Sequence, residues 1–271
     1  TAFGGSPENH LPKDEETVKI WKKLFKSVGI DAYDAFGGTA IQPGQRIFYY
    51  DQTKNWWSRS GVPAIMPEGE LGGPDSEIFW DFGSELKLHE QSPWRNQPCH
   101  VNCDCGRFME IGNNVFMEYI KQNGKIEKMA ARNVDFGGGL ERISAASLGN
   151  SDIFKIDLLE PIIKKIEQIS GIIYNTDTKA DNAMRIIADH LRSAVFLIND
   201  NVLPSNKAQG YFARRLIRRA IVKSQRLAIK NNFLVQIAST VANVYDGVYD
   251  INFQIVQNEL DKEESRFRQT I

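Results

Sequence analysis

Asn133 to Arg142 reads Asn-Val-Asp-Phe-Gly-Gly-Gly-Leu-Glu-Arg, which sets an acid, a glycine run and an arginine within one short stretch. The apolar lead-in places Asp135 at the end of a predicted strand. The glycines allow backbone approaches that a side chain would block. A helix is predicted to start at once, with Leu140, Ile143 and Ala146 or Ser147 at helical spacing. A strand–glycine–helix junction offers an anion free backbone N–H groups and a positive helix end. Arg142 falls in the first turn, where the helix dipole favours acids. An arginine placed against that preference points toward an anion. The plain alternative is that Asp135 caps the helix and Arg142 is solvated.

Two further groups carry chemistry. Cys99, Cys103 and Cys105, with His100 or His89 near them, supply enough sulfur and nitrogen for a structural zinc. Cys99, His100, Cys103 and Cys105 are the simplest ligand set; the alternative is three reduced thiols in a hairpin insertion. Residues 207–230 hold Lys207, Arg214, Arg215, Arg218, Arg219, Lys223, Arg226 and Lys230 and no acid. Leu216, Ile217, Ala220, Ile221 and Leu227 form the apolar side of the same predicted helix. A stripe of like charges repels itself, and phosphate contacts offset that repulsion. The alternative is a solvated face balanced by acids in 246–264.

The elements that must position these groups divide into two halves. Asp14 is a plausible N-cap for a helix whose apolar face is Ile20, Trp21, Leu24, Phe25 and Val28, ending at Gly29. Strands are expected at 46–51, 76–81, 107–111 and 114–121, with Asn123-Gly124 as a hairpin turn. Residues 58–75, rich in proline and glycine, read as a long functional loop. Glu77 and Asp81 alternate onto one face, roughly 13 Å apart, so one belongs to a site and the other to a structural pair. Strands joined by hairpins imply an antiparallel sheet, so the first half is α+β. From 139 onward helices are expected near 139–148, 157–169, 179–199, 208–230, 233–246 and 250–270, with Gly171 to Lys179 as a linker.

The 271 residues suffice for one large domain or two modest ones. The 42% hydrophobic and 25% charged content argues against long disorder, and a net charge of −1 excludes a generic polyanion binder. No apolar run is long enough to span a membrane. The clustered cysteines are not a secreted disulfide framework, so a reducing cytoplasm is the expected location.

Several separated stretches together resemble the alanyl-tRNA synthetases, a class II aminoacyl-tRNA synthetase family. They are Asn55-Trp56-Trp57, Ser76 to Asp81, Glu110 to Met117, Val134 to Ile143, Ile187 to Ser193, Val202 to Asn206 and Gly210 to Ala220. They run in the family's order over nearly the whole chain. The resemblance implies an antiparallel class II synthetase-type sheet with flanking helices over 1–155, a partial aminoacylation domain. It implies an all-α domain over 156–271 that recognises the tRNA acceptor stem. Residues 133–143 would be the third class-defining motif, with Arg142 on the ATP phosphates and Asp135, as a buried carboxylate, on the ammonium of alanine. Trp57, Asn113, Val115, Gly137, Gly139 and, less directly, Glu77 would line the alanine and ATP site, with Val115 close to the methyl group. Asn206 would read the acceptor-stem G·U pair, and Arg214, Arg215, Arg218 and Arg219 would contact phosphates. ATP with Mg2+ and tRNA-Ala would be the remaining partners.

The departures from the family are equally specific. The first two class-defining motifs and the editing region are expected to lie outside the chain, which reads as a piece of something longer. Gly69 to Asp75 replaces the family's usual Gly-Pro-Cys loop. The chain alone is therefore expected not to complete alanine activation. The alternative is a non-catalytic module that docks a tRNA acceptor stem.

Overall fold

A computed structural model describes residues 1–271, and the chain separates into two compact units, 1–151 and 152–271.

In the first unit a short strand β1 (Ala2–Phe3) precedes helix α1 (Glu15–Ser27), whose N-cap Asp14 accepts the Thr17 amide at 3.0 Å. β2 (Tyr33–Phe36) and β3 (Gln45–Tyr50) follow, and β1, β3 and β2 form a small parallel sheet. α1 packs through Val18, Trp21 and Phe25 on Ala2, Ile47 and Tyr49 of that sheet. Its expected apolar face is only partly used: Ile20 is 53% exposed, Leu24 51% and Val28 70%.

The larger sheet is antiparallel, in the order β4 (Trp56–Ser58), β5 (Leu71–Asp81), β6 (Phe108–Gln122) and β7 (Lys125–Gly138). β6 is one long central strand rather than two short ones, which explains apolar residues on both of its faces. Asn123 and Gly124 have φ of 50° and 73°, the left-handed pair that a tight hairpin requires. β5 takes in Leu71 to Asp75, so the expected loop ends earlier than its glycines and proline suggest. A register shift between Gly72 and Asp75 accommodates Pro74 there. Helix α2 (Leu140–Ser147) starts directly after β7, with Gly139 as its N-cap.

The second unit is helical throughout: α3 (Glu160–Ser170), α4 (Thr178–Asn199), α5 (Ala208–Ser224), α6 (Leu234–Val244) and α7 (Phe253–Arg268). The stretch from Gly171 to Lys179, expected as an interdomain linker, lies inside this unit and joins α3 to α4. α5 buries Ala213, Leu216, Ile217, Ala220, Ile221 and Ser224, the i, i+3, i+4, i+7 pattern of one stripe. Each such isoleucine or leucine contributes about 1.5–3 kcal/mol over its exposed state. The helix ends at Ser224, and Gln225–Leu227 tightens into a 3-10 turn closed by Ala228 at φ 53°. No helix is long and apolar enough to cross a membrane.

Candidate functional site

The sheet register lines up most of the anticipated site. Asp75, Val115 and Asp135 stand opposite one another on β5, β6 and β7, and Glu77, Asn113 and Gly137 form the next row. Alternation puts both rows on one face. Trp57 pairs with Gly73 and is directed to that side by the same alternation, while Trp56 packs on Phe3 and Tyr119 on the other. Ser76 accepts the Trp21 indole N–H at 2.8 Å, so α1 covers the opposite face.

Asn55 and Asn113 hold the Asp75 carboxylate. Their side-chain amides donate to it at 2.9 and 3.2 Å. Asp75 is buried, and burial raises its pKa above the usual carboxylate range against those hydrogen bonds. Because the Asn113 amide nitrogen faces Asp75, its Oδ1 points the other way, buried and without a hydrogen-bond partner in the protein. A buried acceptor left open costs about 1–3 kcal/mol and marks a place for a donor. Glu77 is pushed up to about 7, first by burial, then by the charges of Asp75 and Glu110. Its Oε2 accepts the Thr1 hydroxyl at 3.1 Å. Val115 is buried between the Asp75 and Asp135 positions. Asp135 is exposed, without a side-chain partner, and does not cap α2.

Asp75 and Glu110 are two further acids on this face that the sequence pattern does not mark. Plain alternation sets Glu110 on the face opposite Asn113. The register shift between Ile78 and Phe79 places Glu110 across from Phe79, on the Glu77 side. There its Oε2 accepts the Arg142 guanidinium at 3.0 Å. A Cβ at Gly139 would lie 2.7 Å from the Arg142 Nε, so glycine gives this arginine its position. A Cβ at Gly137 would meet nothing within 4 Å, which leaves open space above that row. Asp81, the other acid of its pair, is bound bidentately by Arg107 at 2.8 and 2.9 Å.

Between β5 and β6, His89 and the three cysteines place one donor atom each within 4.8 Å of one another. His100 is not among them: its Nδ1 meets the Tyr50 hydroxyl at 3.0 Å.

In the second unit, the basic face of α5 is divided. Arg218 donates to the buried Glu263 at 2.7 Å, and Arg214 lies 3.3 Å from the same oxygen, within ion-pair range but without hydrogen-bond alignment. Arg214 also donates to the Asn206 side-chain oxygen and to the Pro204 carbonyl. Arg215 and Arg219 are exposed and have no acid in ion-pair range. With Asn206, Tyr211 and Lys223 they line an open groove. A Cβ at Gly210 would lie 2.4 Å from the Leu203 carbonyl, so glycine seats the Asn206 loop against α5.

An antiparallel sheet with flanking helices, α+β in character, fits a class II synthetase domain. The chain belongs to the class II (A) tRNA synthetases, whose family model matches residues 9–271. That single match runs through the helical unit, so those helices fall within the synthetase match rather than after it. Among curated proteins the chain is 37% identical over 279 residues to an alanine–tRNA ligase of Borreliella afzelii, covering 100% of this chain and 41% of that protein. It is 38% identical over 254 residues to the alanine–tRNA ligase of Treponema denticola, covering 92% and 37% respectively. A third, from Thermotoga petrophila, is 36% identical over 279 residues, covering 98% and 29%. The chain thus spans well under half the length of these relatives.

Proposed function

We propose that residues 1–155 supply part of an alanine-activating and tRNA-aminoacylating site, and that residues 156–271 bind the acceptor stem of tRNA-Ala. The observation that carries this reading is the set of Asp75, Val115 and Asp135 in one row and Asn113 in the next on one sheet face, with the Asn113 Oδ1 left as an open buried acceptor. The alanine ammonium is taken by Asp135 and the Asn113 oxygen, and its methyl group by Val115. Asp135 is exposed rather than buried, so its pull on an ammonium grows as bound substrate excludes water. Trp57 walls the pocket and Gly137 leaves its floor open. Glu77, with its pKa pushed up to about 7, is only partly ionised near neutral pH and acts as a neighbour of the site.

No acid–base residue is required for the first step. An alanine carboxylate oxygen attacks the α-phosphorus of ATP, and the bond to the bridging oxygen breaks as pyrophosphate leaves with its electron pair. The terminal ribose hydroxyl of the tRNA then attacks the carbonyl, the acyl–phosphate C–O bond breaks, and AMP leaves with the electron pair as the hydroxyl proton passes to its phosphate. The protein contributes position and charge. Arg142 exchanges Glu110 for the phosphates, near the N–H groups at the start of α2, with Gly139 making room. The released Glu110 is a carboxylate of the kind that suits Mg2+ accompanying ATP. A Zn2+ ion is assigned to the cysteine cluster as a structural ion, apart from the chemistry. Three cysteines without a disulfide favour a cytoplasmic setting.

On α5, Arg215 and Arg219 contact phosphates, while Arg214 and Arg218 are first ordered by Glu263. Arg214 holds the Asn206 oxygen, which leaves the Asn206 amide nitrogen as a donor toward a base edge.

Alanine-dependent ATP–pyrophosphate exchange, measured on the polypeptide at the relatives' full length, tests this reading. Exchange that requires alanine and falls at least about 100-fold in kcat/KM with Asp135→Asn is expected, about 2.7 kcal/mol. Exchange indifferent to Asp135→Asn removes that carboxylate from the pocket. Absent exchange with retained acceptor-stem binding would favour a docking module.

A further inference from the structure

The connection from Phe82 to Arg107 has neither helix nor strand, yet it joins the two strands that carry Glu77 and Asn113. Its buried residues are Phe82, His89, Ser92, Val101, Cys103 and Cys105. Only Phe82 and Val101 are ordinary core material. A segment this long with so little apolar interior needs another source of order. Its base is closed by the Arg107–Asp81 pair and by the Phe82 amide on the Arg107 carbonyl at 3.0 Å. One flank is tied to β3 by His100 and Tyr50. Its centre holds the sulfurs and one imidazole.

We propose that His89, Cys99, Cys103 and Cys105 bind one structural Zn2+ that staples this connection, with His100 outside the ligand set. The spacing supports it. Tetrahedral zinc with Zn–S near 2.3 Å and Zn–N near 2.0–2.1 Å sets S···S edges of about 3.8 Å and S···N edges of about 3.6 Å. The Cys99 and Cys105 sulfurs are 4.0 Å apart, and the Cys103 sulfur is 3.6 Å from the His89 Nδ1. These separations suit a common ion and are far too long for a disulfide. The His89 Nε2 lies 3.0 Å from the Gln97 carbonyl and donates to it. That bond fixes the tautomer whose Nδ1 lone pair faces the sulfurs, the usual outer support of a metal-binding histidine. Four protein donors close the coordination sphere, which makes the ion structural rather than catalytic.

The test uses the 271-residue chain, reduced and freed of metal, titrated with Co2+ and then Zn2+. One equivalent of Co2+ should produce the visible bands of a tetrahedral thiolate centre, and one equivalent of Zn2+ should abolish them. His89→Ala should weaken metal binding on the order of 100-fold or more, beyond the effect of losing an outer hydrogen bond. His100→Ala should leave stoichiometry and spectrum unchanged. The wild-type stoichiometry and the two histidine variants decide without any cysteine substitution. No thiolate–cobalt spectrum in the wild type overturns the proposal. So does a spectrum lost with His100→Ala and kept with His89→Ala.

Discussion

Among the carboxylates, Glu77 departs furthest from its ordinary state. Burial and the charges of Asp75 and Glu110 lift its pKa from 4.5 to about 7. The folded chain therefore holds a proton that the unfolded chain releases at lower pH. The associated stability is fully present below about pH 4.5 and is lost as pH rises through about 7. All five tryptophans, at 21, 56, 57, 80 and 94, lie in the first unit, so their fluorescence follows its unfolding in urea. The wild-type midpoint should fall between about pH 4.5 and pH 6, below the range where the buried Thr1 amino group, lowered to about 6, adds an opposing rise, and Glu77→Gln should flatten that fall; an unchanged slope would show that Glu77 does not hold the proton. Alternation is a sequence property and sets Glu77 and Val115 on faces of their strands, whereas Asn113 and Asp135 join the site only through the family resemblance. Asp75 was hidden inside what looked like a glycine–proline loop. Glu110 was hidden by a register shift that depends on its partner strand. The resemblance implies a buried Asp135, but it is exposed, since burial depends on what covers a strand.

Helices were legible from capping and periodicity, and α4 and α6 fall within a few residues of expectation. α5 is shorter than its sequence predicts, because a basic, apolar-periodic sequence continues past the turn at Gln225. The start of α6 depends on a contact that no local pattern carries. Glu264, buried on α7, accepts the Phe233 and Leu234 amides at 3.1 and 3.0 Å and pairs with Arg268 at 2.9 Å. Burial raises the Glu264 pKa despite these partners. Glu264→Ala leaves buried N–H groups unpaired, so it should destabilise the helical unit by about 2–4 kcal/mol. Loss of far-UV circular dichroism on heating should come at a clearly lower temperature. An unchanged midpoint would show that the cap contributes little.

For the whole molecule the net charge of −1 conceals a concentrated basic groove, so binding should be electrostatic but local. Arg215→Ala and Arg219→Ala should each weaken acceptor-stem binding and lower the salt slope by about one. Measurement of affinity against salt for both variants checks this, and unchanged slopes would take these arginines off the RNA. The central claim concerns the sheet face, where one end is assigned to alanine and the other to ATP. The most direct measurement is the separate dependence of pyrophosphate exchange on alanine and on ATP, at the relatives' full length. Asp135→Asn should raise the KM for alanine by at least about tenfold with little effect on the KM for ATP, and Arg142→Lys should do the reverse, because lysine lacks the planar fork. Identical effects of the two substitutions on both substrates, or no effect of either, would contradict the account.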